Sequence, residues 1–267
     1  MKIEIVLKDS KNKLVSAASE DDLCVLSFKK RYQLNDFYEV KVSEYPCYLV
    51  VQMDPILNPT LLYMSKKVWQ YKIPFSLERH TALPDGAFCG EHHYVCVRKA
   101  SETEITEYRN LAYNPHDQKD ASGGYPHVSA NAETRGEEPF LAKNVIDGYL
   151  ANNNHGKFPF QSWGIDAKDN AELKLDFGRQ VNIDKIGILL RADYPHDSYW
   201  TQINVSYSNG DDQKINLIKT NKIQYFKVNE ATVKYLKLNN LKRDKTSDPG
   251  TFPSLSQLVV LGKNKLQ

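Results

Sequence analysis

Helix-forming periodicity is scarce in this 267-residue chain, and no apolar run approaches the ~20 residues that a membrane-spanning helix requires. No membrane insertion is therefore expected. Like-charge blocks are missing as well: 35 Lys and Arg face 33 Asp and Glu, a formal net charge of +2. Without a basic stripe or tail, neither nucleic acid nor anionic lipid is an expected partner. Cysteine is confined to Cys24, Cys47, Cys89 and Cys96. The segment Cys89-Gly-Glu-His-His-Tyr-Val-Cys96 lacks the paired close spacing of a structural zinc site, and its cysteines read as strand residues flanking a turn. The chain opens on Met-Lys-Ile-Glu-Ile-Val-Leu-Lys, where apolar residues alternate with charges as in a strand and not as in a secretory leader. A cytoplasmic location with reduced thiols is the expectation, unless a leader has been trimmed. Nucleophile-elbow, phosphate-loop, dinucleotide and zinc-hydrolase motifs are also lacking.

What the chain has in quantity is tyrosine, 16 residues, a type that favours strands and polar-tipped surfaces. Short alternating or fully apolar segments recur throughout. Ile3, Ile5 and Leu7 alternate with charge, and Leu23–Phe28, Tyr48–Met53 and Tyr94–Arg98 read as more buried strands, with Ala87–Cys89 beside the last. Pro55, Pro59, Pro74 and Pro84-Asp-Gly punctuate them as turns. Residues 1–105 are therefore expected to form a small all-β domain, a sandwich. Residues 106–125 are turn-rich and read as a connecting segment, either linker or functional loop, with Tyr108–Leu111 packing between domains. Residues 126–267 return to strands: Leu173–Phe177, Ile183–Arg191, Tyr225–Val228, Val233–Leu238 and Leu255–Leu261, with Ile203–Tyr207 running into the hairpin signal Asn209-Gly210. Many short strands at this spacing predict a jelly-roll β-sandwich. One helical turn is expected at Pro139–Asn144, behind Glu137 and Glu138.

The most informative stretch runs from Asn144-Val-Ile-Asp-Gly148 through Asn152-Asn-Asn-His155 to Gln161-Ser-Trp163-Gly164. Together with Asp176-Phe-Gly178 and the closing Gln257-Leu-Val-Val-Leu-Gly262, it resembles the discoidin-like, galactose-binding-like family, the coagulation-factor C-type jelly roll that includes many bacterial carbohydrate-binding modules. The resemblance covers about residues 110–263 and leaves the first hundred unassigned. It implies a loop-built ligand site at one end of the sandwich. It also implies a structural calcium ion, for which the family's carboxylate matches Asp147 while the acidic last-strand position falls on Gln257. The alternative for Asp147 is that it caps its own turn. Fold alone does not decide function, so the residues must be read one by one.

Sugars present apolar C–H faces and vicinal hydroxyls, which rings stack on and charged or amide groups bridge. Arg191, Asp193, His196 and Trp200 form one such set, with Arg191 and Asp193 spaced to share a strand face. Arg135, Glu137, His155 and Trp163 form a second set that the resemblance places near the same mouth. Each has a structural reading too: Trp200 as a core plug, Arg191–Asp193 as an ion pair, Arg135 as a neutraliser of surface glutamates, Asn152–Asn154 as an ordinary flexible turn. The sequence thus predicts non-catalytic glycan binding. A glycan-active hydrolase or lyase stays open, with Glu137, Asp193 or Asp197 as carboxylates and His127, His155 or His196 as base. So does a scaffold that binds protein or a second copy of the chain.

Overall fold

A computed structural model describes residues 1–266, and among these the chain is all-β apart from short helical turns. None of the described helices is long and apolar enough to cross a membrane. The N-terminal lobe is built from two antiparallel sheets. In the first, strands Leu14–Asp21, Lys2–Lys8, Phe37–Val42 and Val68–Lys72 lie side by side. In the second the order is Gly124–Tyr125, Thr60–Met64, Cys47–Gln52, His92–Lys99 and Leu23–Lys29. Period-two patterning does what the sequence predicts: Ile3, Ile5 and Leu7 are fully buried, against Tyr38, Leu49 and Trp69 in one core. Ala87–Cys89 is a turn and not a strand, because Asp54 accepts a bond from the Phe88 backbone N–H there (2.8 Å) instead of a ladder partner.

Residues 106–125 engage both lobes. A short helix, Glu102–Thr106, is closed by a capping box between Ser101 and Glu104. Arg109–Asn110 then pairs with Gly262 and Leu261 of the C-terminal lobe, and Leu111 enters that lobe's core. The chain next returns to the N-terminal lobe. Gln118 brackets the Lys72 backbone, accepting from its N–H (3.0 Å) and donating to its carbonyl (2.7 Å). Trp69 donates from its indole to the Ser122 hydroxyl (2.8 Å), and Gly124–Tyr125 completes the five-stranded sheet against Met64 and Tyr63.

The C-terminal lobe is a sandwich organised by two long strands, Leu173–Leu190 and Gln224–Arg243, where the sequence suggested four shorter ones. Leu173–Asp176 pairs with His127–Ala130 on one side and Leu238–Tyr235 on the other. After a break in register the same strand continues at Val181–Leu190, now between Ser254–Asn264 and the first half of Gln224–Arg243. The bend falls at Gly178, whose φ of +67° and contact with the Tyr125 ring leave no room for a Cβ. Trp200–Tyr207 and Asp212–Asn216 form the hairpin expected around Asn209-Gly210. The predicted helical turn is present as two 3-10 segments, Glu138–Phe140 and Ala142–Ile146. The core between the layers contains Leu173, Leu175, Phe177, Ile186, Leu236 and Leu258.

Candidate functional site

Three of the sequence-predicted site residues come together. His155 sits in the loop after Asp147-Gly148, and Asp193 and His196 in the loop that leaves the strand Leu173–Leu190. His155 Nδ1 lies 2.7 Å from Asp193 Oδ2, and His196 Nδ1 lies 3.9 Å from the same oxygen. The two imidazoles stack with centroids 4.2 Å apart and planes 3° apart. All three side chains meet solvent, at 41 % exposure for His155, 26 % for Asp193 and 60 % for His196.

A buried frame holds the trio from beneath. Arg191 is only 6 % exposed, and its Nε donates to both oxygens of Asp197 (2.8 and 2.9 Å) while its Nη2 donates to Oδ1. Asp197 Oδ2 also accepts the Asp193 backbone N–H at 2.9 Å. The two loops are stitched together by Asn152: its carbonyl accepts the Ala192 N–H (2.6 Å) and its amide donates to the carbonyls of Leu190 (2.8 Å) and Asn221 (3.2 Å). Beside the trio, the Lys219 ammonium stands 4.4 Å over the Tyr194 ring.

Several expectations are corrected. Arg191 cannot meet a ligand, because its guanidinium is buried and committed to Asp197, not to Asp193 as its spacing suggested. Trp163 and Trp200, 0 % and 1 % exposed, are core residues whose rings lie 6.1 Å apart, and the Trp163 indole donates to the Ala132 carbonyl (2.7 Å). Indole burial removes far more apolar area than a loop position would, which explains their inward placement. Arg135 and Glu137 are exposed but pair with each other (2.9 Å), and none of their ionic contacts reaches the trio. Asn152 is a buried clamp, not a flexible turn residue. Asp197 and Asn152 are the supports that sequence reasoning missed; the only sequence signal was the position of Asp197 six residues beyond Arg191.

The resemblance also implied a calcium ion at Asp147 and Gln257. The two residues do meet, but as a hydrogen-bonded nest. Asp147 Oδ1 accepts the Tyr149 backbone N–H (2.9 Å) and the Gln257 amide (2.6 Å), and its Oδ2 accepts the Gln161 amide (2.8 Å). Gln257 Nε2 also donates to the Asn144 carbonyl (2.9 Å), while its Oε1 accepts the Gly148 N–H (3.1 Å). Calcium needs six or more oxygens turned toward it. Here the Gln257 nitrogen points at two of the oxygens a cation would need, so the residues present do not fit the ion. Burial pushes the Asp147 carboxyl up to about 7, against the lowering pull of these donors and of Lys143.

No family model and no curated protein matches the chain. Among solved structures, it is similar to chitosan-binding module 1 of a chitosanase/glucanase from Paenibacillus sp. IK-5, at 16% identity and a TM-score of 0.40, over 57% of this chain and 98% of that one. It is also similar to the family 32 carbohydrate-binding module of C. perfringens NanJ in complex with galactose, at 15% identity and a TM-score of 0.39, over 58% and 99%. A third is the lectin domain of lectinolysin complexed with Lewis B antigen, at 16% identity and a TM-score of 0.40, over 57% and 94%.

Proposed function

We propose that the C-terminal lobe is a non-catalytic glycan-binding module whose ligand meets His155, Asp193 and His196. The observation that carries this reading is the convergence of these three solvent-reached side chains, two exposed and Asp193 half-buried, from two separate loops on a frame that is itself buried. A carboxylate acceptor beside imidazole groups suits vicinal hydroxyls, which donate and accept within one short span. The pre-set Arg191–Asp197 and Asn152 contacts lower the ordering cost that a flexible loop would otherwise bring to binding. Asp197 is buried and engaged by Arg191, so the one carboxylate of the cluster that reaches solvent is Asp193, whose Oδ2 also meets His155, and a carboxylate-pair mechanism has no second member there. A glycan array on the intact chain, followed by calorimetry on any hit, tests the proposal. Binding lost in Asp193→Asn and in His155→Ala, with the circular dichroism spectrum unchanged, is the expected result. Turnover of a chromogenic glycoside panel, or an array with no hits, would overturn it.

A further inference from the structure

We infer that His155, Asp193 and His196 also constitute a binding site for a divalent transition metal of the zinc class. This goes beyond the glycan reading: it uses the same side chains but requires no sugar. Each of the three offers a ring nitrogen or a carboxylate oxygen, and these atoms lie within 4.8 Å of one another. Ligand atoms around a tetrahedral zinc, with bonds of 2.0–2.1 Å, stand roughly 3.3 Å apart. The separations from Asp193 Oδ2 to the two Nδ1 atoms, 2.7 and 3.9 Å, bracket that value. His155 turns its Nδ1 edge to Asp193, and His196 Nδ1 stands between two carboxylates, 3.9 Å from Asp193 Oδ2 and 3.6 Å from Asp197 Oδ1, with the two rings stacked in parallel.

The donor chemistry selects the ion. Two imidazoles and one carboxylate suit zinc and its neighbours, whereas calcium and magnesium require oxygen cages. Supports beyond the ligands are in place. Asp197 accepts the Asp193 backbone N–H and is itself fixed by Arg191, and Asn152 ties the loop of His155 to that of Asp193. Such outer contacts set ligand orientation before the ion arrives. Three protein ligands on an exposed surface leave at least one coordination position for water.

The test is calorimetric titration of zinc chloride into the full chain after chelator treatment, with no sugar present, together with the visible spectrum on adding cobalt(II). One equivalent of zinc and a cobalt d–d band are expected. His155→Ala and His196→Ala should each weaken zinc binding by roughly tenfold or more, and Asp193→Asn, which keeps the loop's shape, should do the same. Because both histidines are exposed and Asp193 is half-buried at the loop surface, circular dichroism should show these variants folded. No heat at millimolar zinc, or binding that persists in the His155→Ala/His196→Ala double variant because the thiols of Cys89 and Cys96 hold the ion, would overturn the inference. Glycan binding that survives chelation alongside absent zinc binding would sink the metal site alone. Zinc binding with a blank glycan array would sink the lectin reading alone.

Discussion

Replacing Asp147 by Asn should make the protein's stability less dependent on pH. Burial raises this carboxyl from the ordinary 3.8 to about 7 in the folded chain. The unfolded chain releases the proton near pH 4, and the folded chain holds it until near pH 7. Folding therefore takes up a proton in this window, and the contribution of Asp147 to stability falls as pH rises through it. At 1.36 kcal/mol per pH unit the fall amounts to about 4 kcal/mol. Asn keeps the shape and cannot titrate. Its Oδ1 can accept from Tyr149 and Gln257 as Asp147 does, and its Nδ2 can donate to Gln161 once that amide turns over, giving a partner to the Gln161 Oε1 that is now buried without one. Urea unfolding from pH 4.5 to 8, followed by the fluorescence of buried Trp163 and Trp200, reads the difference directly. The free-energy difference between Asp147→Asn and the parent should grow with pH, by about 3 kcal/mol over this range, in favour of the variant. Millimolar calcium should leave both curves in place. A difference that is flat across the window, or a parent protein stabilised by calcium, would refute the reasoning.

Further expectations follow from the same contacts. Arg191→Met removes the guanidinium from the buried Asp197, leaving it the Asp193 N–H and the exposed His196 at 3.6 Å, and should destabilise the chain by about 3–5 kcal/mol in chemical unfolding, with much of the loss recovered in Arg191→Met/Asp197→Asn. Trp200→Phe opens a core gap and should lower the thermal midpoint while leaving ligand affinity within about twofold, because the indole lies inside; a selective loss of affinity would place it in the site. Arg135→Ala and Glu137→Gln should change neither stability nor binding measurably, as expected of an exposed ion pair worth ~0–1 kcal/mol. Gly262→Ala sets a Cβ against the Asn182 carbonyl oxygen, far inside contact distance, and the strand shift this forces should lower the thermal midpoint by several degrees.

How much of this was legible in the sequence depends on the range of the interactions involved. Alternation at Ile3, Ile5 and Leu7 and the Asn209-Gly210 turn are local signals, and the strands and hairpin they announce are present. The capping box at Ser101 and Glu104 is an equally local signal, and the short helix it closes lies at the end of residues 1–105, which read as all-β. Whether Leu173–Phe177 and Ile183–Arg191 make one strand or two is decided by partners on either side of Gly178, roughly forty to eighty residues away in sequence, and no local window of sequence contains them. The path of residues 106–125 was hidden for the same reason, since its anchors at Lys72, Met64 and Leu261 are remote.

The site shows the corresponding division. Spacing put Asp193 on a strand face with Arg191 and His196 a few residues on, and the resemblance put His155 nearby, so the trio was visible as residue types. Which side of the loop each residue faces was not. An arginine two positions from one aspartate and six from another is ambiguous until the backbone closes, and burial then gave Arg191 to Asp197. Tryptophan in a loop signals both ligand stacking and core filling, and the larger apolar area wins inside a sandwich of this size.

The central claim is tested most directly by titrating array-selected glycans into the intact chain and into the variant combining His155→Ala, Asp193→Asn and His196→Ala. The account predicts saturable binding to the parent, a loss to baseline in the variant, and matched unfolding curves for the two proteins. Equal affinity in both proteins would contradict it.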